Sequence, residues 1–200
     1  NGRTGTLLQI VNGFNWLVTT TFPGRTDPGV DLINASLGAT GFHRFLLSAT
    51  TTAAGLGIPL FAAIGNAGRG GAGHHGSPGN YPERNGVMGV GATDINDQVA
   101  IFSDWGDAPP PNGPAYPVPV LCAPGDQVYS AIPGAGSPFK YDSGTSMATP
   151  VVSGVAAQRM EADPTLQGNP KKLFFDLKRN LASWTAGPRG NKGGLGRIKA

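Results

Sequence analysis

Cysteine is nearly missing from this chain, since Cys122 is the only one among 200 residues. A single thiol excludes an internal disulfide framework and a cysteine-built zinc site. Its neighbours Val120, Leu121 and Ala123 make Cys122 a small buried side chain within an apolar run, not a reactive thiol. Long apolar runs are missing too. No stretch approaches the roughly 18 to 20 residues that cross a bilayer, and the first residues lack a basic-then-apolar leader pattern. The sequence therefore predicts a soluble chain with no membrane span. It also has no internal repeat, no dense carboxylate cluster and no composition break that would mark a domain boundary.

Glycine and proline are plentiful: 32 Gly and 18 Pro make up a quarter of the chain. That proportion reaches the lower edge of low-complexity composition. Disorder is nevertheless excluded, because the 39% of hydrophobic residues fall in organised runs at 30–37, 59–64 and 151–157. The formal net charge of +3 hides an asymmetry, since residues 171–200 hold eight Lys and Arg against one acid. No aromatic residues interleave with these cations in a stacking pattern. A solvated basic surface thus fits better than a nucleic-acid-binding module.

The apolar spacing predicts the following elements. Leu7, Ile10, Val11, Phe14, Leu17 and Val18 recur at helical steps. Val30 to Gly38 is short and apolar enough for a strand buried on both faces. A helix over 42–56 and a buried strand over 59–64 follow, and Val87 to Ala92 reads as another strand. Helix and strand alternate across short joints, which points to crossover units and a mainly parallel sheet. Residues 67–80 and 104–117 read as loops, the second confined to the surface by its prolines. Short apolar runs stand at 118–123 and 127–132. A long helix begins near Thr145, with Ala148, Val151, Val152, Val155 and Ala156 on one face.

The start of that helix carries the chemistry. Gly144-Thr145-Ser146-Met147-Ala148-Thr149-Pro150 places a serine where unpaired first-turn amides favour developing negative charge. Pro150 removes the amide that would have closed a turn onto the Ser146 carbonyl. Taken alone, the serine could be a simple helix cap. The whole heptapeptide, however, resembles the nucleophile motif of the subtilisin-like serine proteases, the subtilase family. Phe61-Ala62-Ala63-Ile64-Gly65-Asn66 resembles the family's strand that ends in the oxyanion-hole asparagine. Ile33-Asn34-Ala35-Ser36-Leu37-Gly38 resembles its cleft strand. Ala123-Pro124-Gly125 resembles a family loop, and Gly196-Arg197-Ile198-Lys199-Ala200 resembles its closing segment.

The resemblance implies a three-layer α/β fold with a mainly parallel sheet and helices on both faces, residues 1–200 forming the C-terminal portion of one peptidase domain. It implies a serine endopeptidase in which Ser146 attacks a peptide carbonyl while the Ser146 amide and the Asn66 side chain stabilise the oxyanion. Ser36, Leu37, Gly38, Ala63, Ile64 and Gly65 would bind substrate, with the loop near His75 and Gly76 closing the base of the pocket. Because these residues include no acid, the pocket is expected to favour apolar side chains over Lys and Arg. Should a basic side chain be favoured, Glu83 is the nearest acid in sequence.

The family places its triad in the order Asp, His, Ser, with both partners upstream of the cleft strand. By the resemblance Asn1 to Thr6 correspond to the edge of the cleft, so the Asp and His are expected upstream, on a companion chain, on a piece cleaved away or on a segment not included in this sequence. The chain alone should then be nearly inactive. His43, His74 and His75 do not stand in the family's histidine motif: His43 reads as a surface or packing residue, and the adjacent pair reads as solvent-exposed, not as a metal site. Asp31 resembles a structural aspartate. The resemblance leaves room for calcium and implies secretion or a lytic compartment. The alternative is a non-catalytic pseudoprotease that keeps the fold to bind peptides or partner proteins.

Overall fold

The computed structural model describes residues 4–109, 113–134, 136, 138–183 and 190–199. In chain order its elements are α1 (Leu7–Thr19), β1 (Ile33–Ala35), β2 (Ala39–Thr40), α2 (Arg44–Gly55), β3 (Leu60–Ala63), β4 (Gly76–Ser77), β5 (Val87–Thr93), β6 (Gly106–Ala108), β7 (Tyr116–Val118), β8 (Leu121–Pro124), β9 (Val128–Ala131), β10 (Phe139–Asp142), α3 (Thr145–Ala162), α4 (Pro170–Arg179), β11 (Leu181–Ala182) and β12 (Arg197–Ile198). The central sheet runs β1-β3-β5-β8-β12-β11. Its first five strands are parallel, and β11 closes the edge antiparallel to β12.

Alternation along the strands divides the apolar side chains between two cores. Phe61, Met88, Val90 and Leu121 face one way, onto Ala148, Val152, Ala156 and Met160 of α3 and Leu173, Phe174 and Leu177 of α4. Leu60, Ala62 and Val87 face the other way, onto Phe14 and Val18 of α1 and Leu46 and Ala53 of α2. A sheet buried on both sides by helices is the stable home of parallel strands, and the result is the expected three-layer α/β arrangement with a mainly parallel sheet. α1 begins with a capping box, in which Thr6 accepts from the Gln9 amide at 3.2 Å while the Gln9 side chain accepts from the Thr6 amide at 2.8 Å.

The structure corrects the sequence reading in several places. The strand expected over 30–38 pairs only at Ile33–Ala35; residues 36–38 continue as an unpaired cleft segment. The loop expected over 67–80 contributes β4, paired antiparallel with β2. Its second half is buried because Ser77, Asn80 and the Gly41 carbonyl satisfy one another: Ser77 Oγ and Asn80 Nδ2 donate to Gly41 O at 2.8 and 2.9 Å. The stretch 104–117 does not stay on the surface, since Asp104 and Ala108 are buried and β6 pairs with β7. Pro110 and Pro111 lie outside the described residues. α4 was not anticipated, although its signal is present. Asn169 caps the Lys172 amide at 3.0 Å, Pro170 opens the helix, and Leu173, Phe174 and Leu177 share a buried face.

The basic end is less purely solvated than composition suggested. Lys178 pairs with Glu83 at 2.7 Å and Arg197 with Asp97 at 2.8 Å, while Lys192 sits 4.4 Å from the Trp105 ring centre. Arg189 lies outside the described residues. Cys122 is fully buried, and burial pushes its thiol up to about 12, as suits an unreactive core residue.

Candidate active site

α3 starts at a crowded junction. The Gly144 amide donates to Gly125 O at 2.8 Å, which pins the helix start to the turn after β8. Ser146, second in the helix and half-buried, sits where the amides have no intrahelical acceptor. Its carbonyl cannot receive the usual bond from four residues on, because that residue is Pro150. Ser36 fills the gap: its Oγ donates to Ser146 O at 2.9 Å, and Ser146 Oγ donates back to Ser36 O at 3.3 Å. Asn34 Nδ2 in turn donates to Ser36 Oγ at 3.1 Å. The cleft segment after β1 is thus tied to the serine by two side-chain hydrogen bonds, one of them to the carbonyl that Pro150 leaves open.

Asn66 follows β3, and its orientation is fixed by chemistry. The Thr145 amide donates to Asn66 Oδ1 at 2.9 Å, and Thr145 Oγ1 donates to the same oxygen at 3.0 Å. An amide N–H can meet only an acceptor, so the oxygen of Asn66 faces the helix start and its NH₂ faces away. Thr145 Oγ1 also accepts from the Gly65 amide at 3.2 Å. One threonine therefore holds both ends of the Gly65-Asn66 step.

These groups open onto a cavity of about 320 Å³. Leu37 and Gly38 form one wall, Ala63, Ile64, Gly65 and Asn66 the other, with Gly76, His74, Thr145 and Ser146 completing it. The structure thus brings together most of the residues singled out in sequence; Ser36 joins through its bonds to Ser146. Three larger hollows, of 450, 820 and 470 Å³, lie beside β7, beside α4 and beside Trp105 and Lys192, and include neither Ser146 nor Asn66. Chemistry, not size, selects the site.

Asp104 also lines the cavity, so the expectation of an acid-free pocket is wrong. Sequence reasoning missed it because the residue lies 38 positions beyond Asn66, in a stretch read as a surface loop. Burial holds its carboxyl above the usual carboxylate range, opposed by the Ala67 amide and by His74 and His75. Glu83, the acid nearest in sequence, is instead committed to Lys178 outside the cavity.

None of the three histidines partners Ser146. His43 stands at the N-terminal boundary of α2 with its ring against Thr40 O at 2.9 Å, His74 meets Gly70 O at 3.1 Å, and His75 meets Asp107 O at 3.2 Å. His74 is exposed as expected, whereas His75 is 5% exposed and 3.4 Å from Asn80 Nδ2. Asp31 is exposed and pairs with Arg25 at 2.6 Å. Among the described residues no three His, Cys, Asp or Glu side chains gather as a metal site.

A mainly parallel sheet between two helical layers thus carries Ser146 on the first turn of α3 and Asn66 after β3, both lining one cavity. The chain belongs to the subtilase family, whose model matches residues 1–195. It is 36% identical over 166 residues to the thermostable alkaline protease of Halalkalibacterium halodurans, covering 82% of this chain and 38% of that protein. It is likewise 36% identical over 166 residues to subtilisin DY of Bacillus licheniformis, covering 82% of this chain and 52% of that one. The chain therefore spans about half or less of the length of these curated relatives. Among solved structures, the prenylagaramide maturation protease PagA matches with a TM-score of 0.77 at 25% identity, covering 100% of this chain and 67% of that one. A cold-adapted subtilisin-like serine proteinase matches with a TM-score of 0.74 at 28% identity, covering 100% and 64%.

Proposed function

We propose that this chain supplies the nucleophile, the oxyanion hole and most of the substrate cleft of a serine endopeptidase, and that the triad Asp and His come from an upstream segment or companion chain. The observation that carries the reading is the double anchoring of Asn66 Oδ1 by Thr145, which turns the Asn66 NH₂ away from the helix start; among the described residues neither it nor the Ser146 amide has a partner, and both residues line the one cavity. Two donors converging near a nucleophile are what acyl transfer requires, because the carbonyl oxygen gains charge as the serine oxygen attacks. In the first step Ser146 Oγ forms a bond to the substrate carbonyl carbon as its proton passes to the imidazole of the upstream partner. The imidazole then gives that proton to the departing amine, and water releases the acyl group by the same route.

Leu37 and Gly38 on one side and Ala63 to Gly65 on the other would bind the residue before the scissile bond. Asp104 does not offer this side chain a free charge, being 2% exposed and held toward its neutral form by burial, so apolar side chains remain favoured. An extracellular or lytic setting accords with the named relatives. The reading as a peptide-binding pseudoprotease draws on one observation, that Ser146 Oγ is hydrogen-bonded to a backbone carbonyl instead of an imidazole.

Complementation separates the two. Adding the upstream segment to the 200-residue chain should produce peptide hydrolysis, and Ser146→Ala in the same mixture should abolish it. Hydrolysis that survives Ser146→Ala overturns the assignment of the nucleophile, and its complete absence from the wild-type mixture favours the pseudoprotease.

A further inference from the structure

Asn66 stands at a bend between Gly65 and Gly68, and the neighbouring residues 102–104 contact the chain on both sides of it. The Asp104 amide donates to Gly65 O at 3.0 Å, just before Asn66. The Ala67 amide, just after it, acts on the Asp104 carboxyl and favours its charged form. The Gly68 amide donates to Phe102 O at 2.9 Å. The two segments are in such close contact that side chains are excluded between them. A Cβ on Gly65, whose φ is +122°, would lie 2.1 Å from Asp104 Oδ2, and one on Gly68 would lie 2.0 Å from Ser103 O.

Asp104 is an expensive residue to keep there. It is 2% exposed, and its second oxygen, Oδ1, is buried with no partner among the described residues. A buried, half-satisfied carboxylate works against folding, and such violations concentrate where function needs a geometry held. The serine side of the site has Thr145 to orient the Asn66 side chain. Asp104 holds the backbone on which that side chain stands.

We propose that Asp104 is a positioning residue for the oxyanion hole, clamping the backbone on either side of Asn66 so that its NH₂ is held where charge develops. The inference rests on the reading of Asn66 as an oxyanion donor. Asp104 does not touch the reacting atoms; it acts through Asn66, and its loss should therefore matter only while Asn66 is present.

A double-mutant cycle in the complete enzyme tests this. Asp104→Ala should lower kcat at least tenfold with KM within about twofold, whereas in the Asn66→Ala background the same substitution should change kcat by less than about twofold. Asp104→Asn keeps an acceptor for the Ala67 amide and should restore most of kcat, and it serves as the test variant should the alanine form not accumulate. Equal losses in both backgrounds would make Asp104 a merely structural residue and overturn the proposal. Hydrogen exchange at the Ala67 amide gives a readout independent of activity: it should quicken at least tenfold in Asp104→Ala, and unchanged exchange overturns the clamp. If Asn66→Ala itself leaves kcat intact, the oxyanion reading has failed, and the exchange measurement still decides whether the clamp exists.

Discussion

The two halves of α3 are held in different ways. From Gly144 to Ser153 the helix buries Ala148 and Val152 against the sheet and is in addition tied to other elements by polar groups: Gly125 O, Asn66 Oδ1, Ser36 on both its hydroxyl and its carbonyl, and Asn34 at 3.2 Å from Ser153 Oγ. From Val155 to Ala162 it is held by apolar packing, with Ala156 and Met160 against Leu166, Leu173 and Phe174, and by the paired bonds of Arg159 to Asp176 at 2.8 and 2.9 Å. Apolar burial is strong but without direction. Hydrogen bonds are weaker in net stability and fix atoms to within tenths of an ångström. The helix uses the first for anchorage and the second for aim, so damage to its two ends should separate activity from stability.

The largest separation is expected at Asn66. Asn66→Ala should lower kcat by about 10² to 10³ with little change in KM or melting temperature, a magnitude taken from the corresponding donor of subtilisin. Steady-state kinetics on the complete enzyme checks it, and a pure KM effect would reduce Asn66 to a binding residue. Ser36→Ala should fall in the middle. It leaves the Ser146 carbonyl without the partner that replaces the Pro150 amide, so kcat should drop by about fivefold to tenfold and stability by about 1 to 2 kcal/mol in urea titration.

At the far end the pattern should invert. Met160→Ala removes a side chain that is 4% exposed and should cost roughly 2 to 3 kcal/mol of stability, with kcat per folded molecule within twofold of wild type. A large kcat loss there would break the distinction between the two ends.

The smallest effect concerns pH. Asp104 takes up its proton more readily folded than unfolded, because burial raises its pKa. Its contribution to stability is then full below the ordinary carboxylate pKa and falls as pH rises through the raised folded value. Asp104→Asn removes that slope. The melting temperature of the variant relative to wild type should therefore climb with pH over this window, and a difference that stays flat or falls would contradict the burial argument.

How much of this was legible beforehand differs between the same two kinds of contact. Apolar periodicity located α1, α2, α3 and the core strands to within a few residues, because burial repeats along the chain. Ser146, Asn66 and the cleft residues, which the fold brings to one place, stand in whole motifs in which the order of small residues is specific. Asp104 was not found. A lone acid in a proline-rich stretch has no local signal, and its burial depends on a turn 38 residues away. His75 was misread for the same reason: its partners, Asn80 and the Asp107 carbonyl, belong to segments that meet only in the fold. α4 is short and its cations hide a narrow apolar face, although Asn169-Pro170 marks a helix start.

The divided site itself is tested most directly by labelling Ser146 with a phosphonyl or sulfonyl fluoride and mapping the modified peptide by mass. With the upstream segment supplied, Ser146 should be modified rapidly, because a positioned imidazole takes its proton; the 200-residue chain alone should react far more slowly, since in subtilisin removal of the histidine costs about 10⁶ in kcat. Equal labelling of the two preparations would contradict a divided triad and direct the search for a base to His74, which lines the same cavity.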